Sequence, residues 1–190
     1  MIRPATRSAL AATFVAVFAW LVSQPPAALA ATAQAEFTMQ AQQKTNWCWS
    51  ASGVSIAAHH GSTVTQNQFC ALAKNLNPAY ACPNDQADLA QVRNGFSKLG
   101  FTRPGTYLSN YLTYSAVRTQ LDYGQPIETR ILWKSGGGHM HVLYGYDAAK
   151  SWVYWGDPWP DNYRYNWATY NYYVNNSTFG WTHTLTGIAR

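Results

Sequence analysis

A thiol, an amide, an imidazole and a carboxylate stand in this chain at points where the local pattern changes. Cys48 lies in Trp47-Cys48-Trp49-Ser50-Ala51-Ser52, directly ahead of an apolar segment, with Gln42 shortly before it. Far downstream, His139 follows Ser135-Gly136-Gly137-Gly138, and Asp157 closes Val153-Tyr154-Trp155-Gly156-Asp157-Pro158. These are the parts of a nucleophilic thiol site. The thiolate is the species that attacks a carbonyl. An imidazole keeps it ionised as an ion pair, and a third group fixes the orientation of the ring. An amide such as Gln42 can donate to the oxyanion that develops on attack.

Each assignment has a competitor close by. His141, two residues from His139, faces the same side of a strand and reads as a supporting or core histidine. Gln43 competes with Gln42 for the oxyanion role. Trp49 reads as core, with Trp47 lining the cleft. His59-His60 lacks further ligands at useful spacing and reads as a polar helix end, and no metal or other cofactor is expected. The aromatic run of Tyr163, Tyr165, Trp167, Tyr170, Tyr172 and Tyr173 reads as cross-strand packing in preference to a carbohydrate-binding face.

Helix signals dominate before residue 124. Trp49 to His59 is predicted helical with Gly61 as its stop, and Gln66 to Leu76 is a second helix. Asn84 and Gly100 bracket a third from Asp85 to Leu99, and Thr113 and Gly124 a fourth from Tyr114 to Tyr123. Beyond Gly124 the period becomes two: Ile127, Thr129, Ile131 and Trp133 alternate with Glu128, Arg130 and Leu132. Strands over His139 to Tyr146, Trp152 to Trp155 and Tyr163 to Val174 follow. Helices first and antiparallel strands second give an α+β domain with a cleft available between its halves. Cys48 then falls at the start of the first long helix, where unpaired N–H groups and the dipole favour an anion. Asp157 ends the strand after that of His139, so antiparallel pairing sets the two side by side.

Arg3 and Arg7 precede an apolar run from Ala9 to Val22, and Ala28-Leu29-Ala30 is a small-residue cleavage signal. Residues 1–30 therefore read as a secretory signal peptide and residues 31–190 as a single domain. The apolar run falls short of the roughly 18 residues a membrane span needs, so a secreted, extracellular protein without a stable anchor is expected. The chain has 13 Lys and Arg against 8 Asp and Glu; losing Arg3 and Arg7 leaves a net +3, no footprint for nucleic acid. With 11% charged and 15% aromatic residues, the composition fits one globular domain with a substantial core. Three cysteines in an exported chain leave one unpaired. Three single pairings are possible, and the economical one joins Cys70 to Cys82 around a short loop and leaves Cys48 free.

Gln42, Cys48-Trp49, Gly138-His139, Gly145-Tyr146-Asp147 and Asp157-Pro158 occur in the order found in papain-like cysteine peptidases. The chain resembles the compact bacterial members of that superfamily and is similar to its bacteriocin-processing and secreted effector groups, from Gln42 to about Pro158. The resemblance implies a papain-like α+β fold, with the nucleophile opening the central helix of the N-terminal half. It also implies hydrolysis of a polypeptide through a thioester: Cys48 as nucleophile, His139 as base, Asp157 as orienting group and Gln42 as oxyanion donor. Trp155 or Trp159 is the expected indole shielding His139 and Asp157. Asn46-Trp47 stands where the plant-type pattern has Gly-Ser, Thr45 where it has a disulfide cysteine, and Asp157 where it has asparagine, so specificity does not carry over. Only Ala31 to about Gln40 precedes the site segment, which leaves no room for a long inhibitory propeptide. Control would lie elsewhere, for instance with a separate protein inhibitor, and a monomer is expected. The same four groups would serve a cell-wall amidase or endopeptidase, or a transglutaminase-like acyl transferase. A non-catalytic secreted binding module is disfavoured by the intact set of site residues.

Overall fold

The computed structural model describes residues 32–190, so the expected signal peptide lies outside the described residues. A short strand β1 (Thr32–Gln34) precedes three helices, α1 (Cys48–His59), α2 (Gln66–Lys74) and α3 (Leu89–Lys98). Strand β2 (Arg103–Leu108) and helix α4 (Tyr114–Asp122) follow. The remainder is β3 (Ile127–Trp133), β4 (Gly138–Asp147), β5 (Trp152–Gly156), β6 (Tyr165–Thr169), α5 (Tyr170–Val174) and β7 (Phe179–Ala189). All strand pairs are antiparallel in the order β2-β7-β3-β4-β5-β6, with β1 paired to the end of β4. The α+β class is as expected from the sequence.

Helix α1 is the centre of the helical half. Nine of its 12 residues are buried, so it needs no polar stripe, and its small Ser, Ala and Gly residues let neighbours approach closely. A Cβ on Gly53 would lie 2.3 Å from Phe69 Cε1, which closes that position to any side chain. Capping boxes start α2 at Thr65 with Gln68 and α3 at Asp88 with Gln91. One apolar layer packs α1, α2 and α3 against Met140, Val142, Tyr144, Leu185 and Ile188 on one face of the sheet. A second layer, including Val117, Leu121 and Tyr173 of α4 and α5, covers Ile127, Ile131, Leu143 and Trp155 on the other. Because both faces are covered, β4 is buried along its whole length after Gly138.

Several boundaries differ from the sequence expectation, each for a local reason. Helix α3 starts four residues later than expected, because Asp88 rather than Asn84 accepts the N–H of the residue three on. Asn84 is instead occupied with Asn46 and Thr45. The expected strand from Tyr163 to Val174 divides: the Thr169 hydroxyl accepts the Tyr172 N–H and turns the chain into α5. Its aromatic residues divide too. Tyr173 is buried, whereas Tyr163, two residues before β6, is 86% exposed and Trp167, on the edge strand β6, is 59% exposed. Strands β1, β2 and β7 were not expected, and β2 lies within the half that reads as helical.

Cys70 and Cys82 form a disulfide with 12 residues of separation, and Cys48 is the free cysteine. Closing a loop of this size restricts the unfolded chain by about 3 kcal/mol. Replacing both cysteines with alanine should therefore lower unfolding free energy by about that amount in denaturant titration. A double variant as stable as the wild type would contradict this.

Candidate active site

Cys48 is the first residue of α1, and the residue before it, Trp47, makes no side-chain cap bond. The N–H groups of that first turn are left for an anion or a substrate oxygen. The approach to the helix is held from two sides. Gln42 N–H donates to Pro158 O at 2.8 Å, tying the segment to the turn that follows Asp157. On the other side, residues 82–86 form a strap. Lys44 Nζ donates to Cys82 O, Trp47 Nε1 to Pro83 O at 2.9 Å and Trp49 Nε1 to Asp85 O at 3.1 Å. Asn46 pairs twice with Asn84. Trp47 thus belongs to the core at 1% exposure and not to the cleft wall, because its indole N–H is claimed by the strap.

Cys48 and His139 line one cleft of about 410 Å³. Cys48, Trp49 and Gln86 lie on its helical side, with Arg130, Trp133, His139, Met140 and Trp159 on its sheet side. His139 is placed by β4, whose partner β5 leads directly to Asp157. Its Nε2–H donates to Asp157 Oδ1 at 2.7 Å, which leaves Nδ1 as the ring nitrogen for the thiol. Trp159 N–H donates to the same carboxylate oxygen at 2.8 Å, and Asn162 Nδ2 to the other at 2.8 Å. Arg164 donates to Asp157 O and to Trp159 O, fixing the turn. Trp133 stacks on the His139 ring at 6.0 Å and Trp159 meets it edge-on at 6.4 Å. The expected indole cover is therefore Trp159, joined by Trp133, while Trp155 stacks on His141 instead.

The electrostatics favour a charged imidazole. Burial alone would lower the His139 pKa, but its hydrogen bond to Asp157 and the hydrogen bonding and charge of Cys48 push it up to about 9. Burial would raise the Asp157 carboxyl, yet the hydrogen bond and charge of His139, with the His141 ring close by, hold it well below the usual carboxylate range. At neutral pH His139 is an imidazolium beside a carboxylate. His141, fully buried, lies 3.4 Å from the other Asp157 oxygen and 3.3 Å from the Tyr173 hydroxyl. Burial keeps its pKa below the ordinary value, so it supports Asp157 as a neutral ring.

A model of the papain-like cysteine protease AvrRpt2 family matches residues 30–177. The chain belongs to that family. It is a cysteine peptidase, and Cys48 and His139 share its cleft. Among solved structures, the peptidase domain of Streptococcus ComA, a bi-functional ABC transporter involved in a quorum sensing pathway, superposes with a TM-score of 0.61 at 20% identity. That match covers 80% of this chain and 98% of the other. Xylellain, a cysteine protease from Xylella fastidiosa, gives 0.52 at 10% identity, covering 84% and 86% of the two chains. Both likenesses establish the papain-like fold. No curated protein matches in sequence.

Gln42 sits differently from the other three expected site residues of the protease. It is buried, but its Nε2 donates both hydrogens, to Lys44 O at 2.9 Å and Thr45 O at 2.8 Å, and it is not among the cleft-lining side chains. Gln43 is exposed, so of the two glutamines Gln42 alone turns inward. His139, His141 and Asp157 carry metal-ligand atoms within 4.8 Å of one another. Both carboxylate oxygens, however, already accept bonds from neighbouring side chains or backbone.

Glu128 is the residue whose position the alternation in β3 conceals. It pairs with Val142 and Leu185 under the helical layer, is 0% exposed, and neither carboxyl oxygen has a hydrogen-bond partner. Burial, and then the charge of Cys48, raise its pKa well above the ordinary value, which favours the uncharged carboxyl. A carboxyl with a raised folded pKa holds more protons folded than unfolded, so its contribution to stability falls as pH rises past its unfolded pKa. Glu128→Gln should remove that slope. The gain in Tm over wild type is expected to be larger at pH 8 than at pH 5, and equal gains at both would contradict the buried neutral carboxyl.

Proposed function

We propose that the protease is exported and hydrolyses peptide bonds with Cys48 as nucleophile, His139 as acid and base, and Asp157 as the group that holds His139. The observation that carries this reading is the bond from His139 Nε2 to Asp157 Oδ1 at 2.7 Å, with the opposite face of the ring in the cleft that holds Cys48. The attacking species is the thiolate, with its proton held on His139. Sulfur attacks the carbonyl carbon, and the oxyanion is held by the Cys48 N–H and by the Gln42 amide after it releases one backbone carbonyl. As the C–N bond breaks, the leaving amine takes the proton from His139, and a thioester remains. His139 then removes a proton from water, which attacks the thioester; the acid leaves and Cys48 is regenerated.

The free Cys48 beside a Cys70–Cys82 bridge supports export to an oxidising compartment. The deciding experiment is alkylation of the mature protein with iodoacetamide, mass mapping of the label, and parallel assays on casein, on cell-wall fragments and for amine incorporation. Labelling of Cys48 with loss of casein hydrolysis supports the peptidase reading. Amine incorporation or cell-wall release without casein cleavage would replace it with the acyl-transfer or cell-wall alternative. Export has its own test, N-terminal sequencing of the protein in the medium, with Ala31 as the expected first residue.

A further inference from the structure

Among the described residues that line the cleft, Arg130 carries the only permanent charge, and no carboxylate is present. Arg130 on β3 faces Met140 across the β3–β4 ladder, on the side of the sheet that meets the helical half. Its guanidinium lies flat over Gly138. A Cβ there would come within 2.6 Å of Nη2, 2.8 Å of Cζ and 3.0 Å of Nε, so any side chain at 138 would displace it. Gly138 immediately precedes His139. The glycine therefore makes room for an arginine at the edge of the reacting centre.

Most of this guanidinium is uncommitted. Nη1 donates to Thr182 Oγ1 at 3.1 Å, and Arg130 forms no ion pair among the described residues. A guanidinium has five N–H donors in a planar fork. Glu128, two residues earlier on the same face of β3, does not pair with it: it is buried and neither carboxyl oxygen has a hydrogen-bond partner. Met140 and Trp133 beside it supply apolar walls that limit competing water. A half-buried arginine with open donors and no counter-ion is matched to a planar anion that accepts two parallel bonds.

We propose that the cleft selects substrates with a carboxylate within about two residues of the scissile bond, held in a two-bond clamp by Arg130; this rests on the peptidase reading above. The spacing follows from Gly138 adjoining His139, since an extended substrate advances about 3.3–3.6 Å per residue. The carboxylate comes either from an Asp or Glu side chain or from a free C-terminus.

The test uses matched fluorogenic peptides with Glu or Gln at each of the two positions on either side of the cleaved bond, each with a free or amidated C-terminus. Wild type should cleave one Glu peptide with kcat/KM about 10- to 100-fold above its Gln twin, the range expected of a charged hydrogen-bonded pair. A preference for free acid over amide instead assigns the clamp to the chain terminus. Arg130→Gln should turn over both twins equally, and Arg130→Lys, which keeps the charge but loses the fork, should retain part of the ratio. A wild-type ratio of one, however the variants fold, or a preference that survives in folded Arg130→Gln, overturns the proposal. Calorimetric binding of the same twins to Cys48→Ala protein separates the two readings. Arg130-dependent binding of the carboxylate peptide without hydrolysis by wild type would sink the peptidase reading and keep the clamp. Hydrolysis with no such preference would do the reverse.

Discussion

Cys48→Ala and His139→Ala are each expected to reduce peptide hydrolysis to background, a loss on the order of 10⁶ in turnover for removal of either member of such a unit. The two variants should differ in a second readout. Cys48→Ala has nothing to alkylate, whereas His139→Ala keeps the thiol and should lose only its fast reaction with iodoacetamide at neutral pH, because the imidazolium that stabilises the thiolate is gone. In the proposed mechanism His139 carries its proton to the leaving amine, and its pKa is raised to about 9. The kcat/KM profile, which reports the free enzyme, should therefore hold through neutral pH and fall above about pH 9. Wild-type turnover in His139→Ala with an inactive His141→Ala would reverse the assignment of the two histidines.

Asp157→Ala should be the next most damaging change, lowering turnover by about 10²–10⁴. The remnant arises because Trp133 and Trp159 still pack against the His139 ring. The conservative Asp157→Asn keeps an acceptor but removes the charge, so the alkaline limb near pH 9 should move downward. The same carboxylate shapes acid stability. Its folded pKa is depressed, so its contribution is present above the unfolded carboxylate value of about 3.9 and is lost as pH falls below it. Acid unfolding of Asp157→Asn should lack that component. An unchanged alkaline limb would mean that Asp157 does not govern the His139 proton.

Much of this arrangement was legible in the residue order, and what was not has physical causes. Cys48 ahead of a small-residue apolar segment, and His139 after three glycines, mark chain positions that pattern alone can identify. The β3 alternation carried less information, because a strand covered on both faces buries Glu128 and Ile127 alike. Strand β7 escaped notice because Trp181, Leu185 and Ile188 alternate irregularly with half-polar residues, and its register shifts at Arg130/Ile131. The strap at 82–86 could not be read at all. Its bonds are backbone carbonyls meeting indole, amide and ammonium donors from residues far away in sequence, and such pairings leave no periodic trace.

That strap gives the disulfide a reach beyond loop closure. Cys82 opens the segment whose carbonyls hold Lys44, Trp47 and Trp49, and Cys48 sits between the two indoles. The bridge is thus a mooring for the stretch of backbone that carries Cys48. Opening the bridge would free one end of the segment that holds the backbone on both sides of Cys48, so the placement of the third sulfur depends on the other two.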